Sequence, residues 1–178
     1  MRRVICYLSS ATTVVMFTCF LNGVVQAKCL EAQAPDPAKF NLAQDNIYFP
    51  KAIGRTYVYE AETEDELVHN EITITSDTTT IIGIICTVVH DVEWVYIEEL
   101  DTWFMTEETD DWYAWDNDGN VWYFGEKTEA YSYDEDWTLV DTSTEGSWEA
   151  GVDGALPGIV MLADPKPGMC YQQEYYEG

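Results

Sequence analysis

Residues 110–126 read DDWYAWDNDGNVWYFGE, and this stretch decides the fold. Two aromatic-rich runs, 112–115 and 121–124, flank the polar insert Asp116-Asn117-Asp118-Gly119-Asn120. Aromatic and β-branched residues on both sides of a short polar insert that contains glycine predict a β-hairpin. Gly119 supplies the positive φ that such a connection requires, and the side chains of Asp116 and Asn117 are expected to fold back onto the turn's own backbone.

Outward from this hairpin the same period-two pattern recurs. Residues 55–62 set Tyr57 and Tyr59 against Thr56 and Val58, and an acidic turn at 63–66 leads into 67–76, where Ile72 and Ile74 alternate with Thr73 and Thr75. Residues 78–89 are almost wholly apolar or β-branched around Gly83, which predicts either one buried strand or two short strands about a glycine kink. Val92, Trp94 and Tyr96 alternate with acids, and residues 129–140 predict a further hairpin around 134–136. Residues 146–157, with three glycines, are expected to form a structured loop, followed by a short apolar piece at 158–163 and a final strand at 170–176. No segment shows a helical face. The expected fold is all-β: an antiparallel meander of about seven to nine strands curling into a sandwich or partial barrel.

The N-terminus carries Arg2 and Arg3, an apolar run and then Val25-Gln26-Ala27, the small-residue pattern of a signal-peptide cleavage site. A membrane anchor is the competing reading, but the apolar run is short for a span. The expected organisation is a signal peptide over 1–27, an extended linker or arm over 28–46, and one β domain over 47–178. Cys19 follows Thr18 and Cys29 follows Lys28, so neither has the small preceding residue that lipidation needs. The expected localisation is periplasmic, cell-surface or extracellular.

Thirty-three acidic residues face eight basic ones, a net charge of −25. Every acid lies beyond residue 27 while two of the basic residues precede it, so the exported part carries 6 − 33 = −27. Such a surface repels nucleic acid and anionic lipid and favours cations, basic proteins or a salt-rich solvent. Seven tryptophans and twelve tyrosines supply the burial area that disordered acidic chains lack. Beyond the leader three cysteines remain, Cys29, Cys86 and Cys170. One disulfide and one leftover thiol are expected in an oxidising compartment. Cys86 with Cys170 is the first pairing to consider, because both lie in strand-like runs, although spacing does not fix it.

The segments TYVYE (56–60), CTVV (86–89), DWYAWDNDGNVWYFGE (111–126) and GSWEAGVDGALPGIVM (146–161) together resemble a family of exported bacterial β-rich proteins of uncharacterised function. The resemblance runs from about Phe49 to the C-terminus and implies no activity. It implies that related chains continue past residue 178 with further strands and another cysteine, which would leave this chain with an open sheet edge or an unpaired Cys86.

Two candidate sites follow from the residues. Asp116, Asp118 and Asn120 fall on alternate positions, the opening spacing of a calcium loop, but Gly119 follows Asp118 directly and Glu126 lies too near to close the loop. Calcium is therefore the candidate cofactor, not a required one, against the plainer reading of a metal-free hairpin turn. Trp112, Trp115, Trp122 and Tyr123, with Trp103, Tyr131 and Trp137 beyond them, form a candidate platform for sugar rings, weighed against simple core packing. The chain has no G-x-S-x-G elbow, H-E-x-x-H motif or phosphate loop, and His69 and His90 stand outside any zinc-ligand spacing. The expected function is a non-catalytic exported acidic β domain with a binding or envelope-structural role and a glycan or protein partner. The alternative is a carbohydrate-active or carbohydrate-binding protein that uses the aromatic platform with assistance from calcium.

Overall fold

The computed structural model describes residues 29–62 and 67–176, so the predicted signal peptide and the acidic turn at 63–66 lie outside the described residues. The fold is all-β, and the described residues form an antiparallel sheet of nine strands curled into a half-barrel. Its strands are β1 (Thr56–Glu62), β2 (Leu67–Ile81), β3 (Ile84–Ile97), β4 (Thr102–Trp115), β5 (Val121–Tyr133), β6 (Leu139–Ser143), β7 (Trp148–Glu149), β8 (Leu156–Met161) and β9 (Glu174–Tyr175). The first five form the expected meander. Three short strands, β6, β7 and β8, then pair in turn along the free edge of β5, and β9 pairs with β8.

Register shifts interrupt the ladders at Ile74/Thr78, Glu93/Trp94 and Asp111/Tyr113. Extra residues of this kind bend a strand and raise its twist, which is how long flat strands curl. The apolar run 78–89 is two strands joined by Ile82-Gly83, both at positive φ (42° and 82°), as a two-residue hairpin turn requires. The predicted central hairpin is present: Gly119 has φ 85°, and Asp116 N donates to Asn120 O at 2.9 Å. The loop expected at 146–157 holds β7, whose close approach demands glycine at 125. A Cβ there would lie 2.2 Å from Trp148 O.

The core gathers Ile81, Ile84, Cys86, Ala114, Trp122, Tyr123, Phe124, Trp148, Ala150 and Ala155. Phe40, from the short 3-10 turn Pro37–Phe40, packs edge-on against Trp122 and Phe124 at 6.1 and 5.9 Å. The arm is therefore part of the domain rather than a linker ahead of it. Leu30 bridges Tyr171 in parallel, Gln33 N donates to Pro157 O at 3.0 Å, and Asn117 reaches out to the arm instead of back to its own turn. Asn117 Oδ1 accepts from Leu42 N at 2.7 Å and its Nδ2 donates to Ala38 O at 3.2 Å.

The disulfide corrects the first pairing considered. Cys29 is joined to Cys170, and Cys86 is a free, buried thiol. The arm carries Cys29 back to the C-terminal segment, where Leu30 N donates to Cys170 O at 2.9 Å. Cys86 sits in the core with no exposed surface, and burial pushes its thiol up to about 12.

Candidate ligand-binding face

Strand register builds the site. Across β1 to β5, Tyr57, Ile72, Asp91, Thr109 and Thr128 stand in one cross-strand row. Ile74, Val89, Asp111 and Glu126 form the row on one side of it, and Tyr59, Asn70, Glu93 and Glu107 the row on the other. Side chains alternate along a strand, so these rows share one face of the sheet. That face joins tyrosines and aliphatics at the β1 side to carboxyls at the centre. A cavity of about 200 Å3 opens there, lined by Tyr57, Tyr59, Ile72, Ile74, Val89, Asp91, Asp111 and Tyr113, with Tyr48, Phe49 and Pro50 forming its remaining wall.

Asn46 positions that wall. It is 1 % exposed; its Nδ2 donates to Gly119 O and Leu162 O at 2.7 and 3.2 Å, and its Oδ1 accepts from Tyr48 N and Phe49 N at 2.8 and 3.0 Å. All its bonding capacity is used. Phe49 then packs on Tyr113 (5.1 Å) and Trp115 (6.0 Å), and its carbonyl accepts from Trp115 Nε1 at 2.9 Å.

The carboxyls are bound into a proton-sharing group. Tyr123 Oη lies 2.8 Å from both Asp111 Oδ1 and Glu126 Oε2. One hydroxyl carries one hydrogen, so it donates to one carboxyl, and the other completes its contact by carrying a proton itself. Burial pushes Asp111 up to about 7, opposed by the hydrogen bond from Tyr123, with the charges of Glu126, Asp91 and Glu107 adding to the rise. Burial also raises Glu126 and Asp91, the latter opposed by the hydrogen bond from Asn70 Nδ2 at 2.5 Å. Among the described residues no lysine or arginine forms an ion pair with Asp91 or Asp111.

The residues singled out from sequence serve other ends. Asp116 is 3 % exposed, and its carboxylate accepts from Asp118 N, Asn120 N, Asn120 Nδ2 and Trp122 Nε1 at 2.8–2.9 Å. Asn120 Oδ1 accepts from Ala163 N at 3.0 Å. These oxygens organise the turn, and a calcium ion would have to displace their donors, so the set does not fit a calcium loop. Among the described residues no group of three or more His, Cys, Asp or Glu side chains is arranged to hold a metal ion. Trp115, Trp122 and Tyr123 are 2 %, 7 % and 4 % exposed, and Trp112 packs half-buried against the core. They form no exposed platform, because the half-barrel buries both faces of the central hairpin.

Exposed aromatic surface also lies on the opposite face, toward the other end of the strands. There Trp94 and Trp103 flank His69 at 5.5 and 5.6 Å between ring centres, with Glu60 and Glu71 beside them. Trp103 is 40 % exposed.

The sequence reading missed Asn46, Asp91 and Asp111. Asp111 sits in the acidic run 106–111 and looks like its neighbours there; only its pairing with Val89 and Glu126 places it on the cavity face. Among the described residues no helix is long and apolar enough to cross a membrane. Comparison of the chain with protein-family models, with curated proteins and with solved structures finds no match.

Proposed function

We propose that the chain is a non-catalytic, exported binding domain whose ligand contacts the face carrying Asp91 and Asp111. The observation that carries this reading is the cavity itself: apolar and aromatic walls converging on two polar groups are the usual make-up of a small-ligand site. The Cys29–Cys170 disulfide supports an oxidising compartment, in keeping with the leader-like N-terminus. A cleft for glycoside hydrolysis must seat sugar rings on both sides of a bond, and this cavity is small against the roughly 300–1,000 Å3 of sites that enclose a larger molecule.

A second reading places a glycan on the opposite face, where Trp94 and Trp103 present ring surface beside Glu60 and Glu71. One experiment separates the readings: amide-resolved NMR of the chain titrated with a small-fragment library and, separately, with soluble glucans and xylans. Fragment shifts concentrated at Val89, Asp91, Asp111 and Tyr113 are the expected result. Shifts confined to residues around Trp94 and Trp103 under glycan would replace the first reading with the second, and release of reducing sugar would overturn the non-catalytic assignment.

A further inference from the structure

Resting on that reading, we propose that the cavity binds an organic cation, an alkylammonium or guanidinium group, with Phe49, Tyr57, Tyr59 and Tyr113 as its aromatic wall and Asp91 and Asp111 as its counter-charges. Five aromatic residues, these four and Tyr48, and two carboxyls line one cavity, and this pairing suits a cation on two counts. The ring faces attract positive charge through their quadrupoles. A neutral apolar guest would strip water from the carboxyls without replacing it, whereas a cation compensates them.

Among the described residues no lysine or arginine pairs with the two carboxyls. Asp91 accepts from Asn70 and Asp111 from Tyr123, which leaves acceptor capacity on both carboxyls. Two protein cations lie nearby: Lys51 Nζ sits 5.4 Å from the centre of the Trp115 ring, outside the cavity, and Arg55 Cζ lies 5.9 Å from the ring centre of Tyr57, a wall residue. Neither Lys51 nor Arg55 lines the cavity. The hydroxyl of Tyr57, a wall residue, is buried with no hydrogen-bond partner among the described residues. A volume of about 200 Å3 suits one head group rather than an extended molecule. The net charge of −25 draws cations toward the protein from solution.

The test is calorimetric titration of the full chain in about 0.15 M salt at pH 8, above the value of about 7 to which Asp111 is held, so that its carboxyl is ionised. The probes are choline, its neutral isostere with carbon in place of nitrogen, and a lysine side chain blocked at both backbone ends. Saturable binding of at least one cation, tenfold or more tighter than the isostere, is expected. Asp91→Asn and Asp111→Asn each weaken it tenfold or more, and so does Tyr59→Leu, a substitution at a residue already 56 % exposed and so of little consequence for folding. Preference between choline and the blocked lysine tells a free quaternary amine from a side chain presented by a partner. The isostere binding as tightly as the cations, neither cation saturating, or cation binding surviving all three substitutions would each overturn the inference. Should a variant fail to fold, the cation-against-isostere comparison in the unaltered chain still decides. Fragments mapping to this face while both cations fail would leave the binding reading standing and remove only the cation.

Discussion

Replacing Asp111 with asparagine is expected to stabilise the protein, and to do so only as pH rises. Asp111 is 8 % exposed, and its folded-state pKa of about 7 stands against a reference value of 3.8. Between those limits the folded protein holds a proton that the unfolded chain has released, so stability falls as pH climbs through that window. The sign is opposite to the usual acid-unfolding trend, in which a carboxylate is held ionised by the fold. A difference of roughly three pKa units at about 1.4 kcal/mol each sets the cost of ionising Asp111 at up to about 4 kcal/mol above pH 7. Asparagine has nearly the same shape, stays neutral, and offers Tyr123 both a donor and an acceptor. The difference in unfolding free energy between Asp111→Asn and the unaltered protein should therefore be near zero at pH 4 and grow to several kcal/mol by pH 8. Urea unfolding followed by tryptophan fluorescence across that range measures it, provided that the slopes with urea match. A difference that does not vary with pH, or a variant that becomes less stable at pH 8, would refute the shared-proton account of Asp111, Tyr123 and Glu126.

Asp116→Ala strands four donors at once, including the buried indole of Trp122, and should cost about 3–5 kcal/mol in the same assay; excess calcium should raise the unfolding midpoint no more than a calcium-free salt of equal ionic strength. Cys29→Ala opens a link that closes 141 residues and should lose about 2–5 kcal/mol. Alkylation of Cys86, read by peptide mass, should be negligible in native buffer and complete in denaturant, since its thiol is buried and held up to about 12. Ile82→Asn relieves a β-branched residue at φ 42° in the turn before Gly83 and should add about 1 kcal/mol of stability, measured by thermal unfolding.

Local patterns spoke for the strands and stayed silent about the site. The alternation at Tyr57, Tyr59, Ile72 and Ile74 and the insert 116–120 each report on a few adjacent residues, and a hairpin is a local object. Calcium-like spacing at Asp116, Asp118 and Asn120 was equally visible, but spacing does not reveal that Trp122 and Asn120 already satisfy the carboxylate. The same limit hid the disulfide: nothing near Cys29 in sequence shows that the arm returns to Cys170.

By itself, the sequence determined an acidic, aromatic-rich, antiparallel β chain with its central hairpin at 110–126, because side-chain period, turn chemistry and charge are properties of neighbouring residues. Only the tertiary structure decided which aromatics are core, which cysteines pair, and that Tyr57, Asp91 and Asp111 meet on one face. Register, bulges and curl bring together groups tens of residues apart, and burial in that shared space sets the protonation of Asp111.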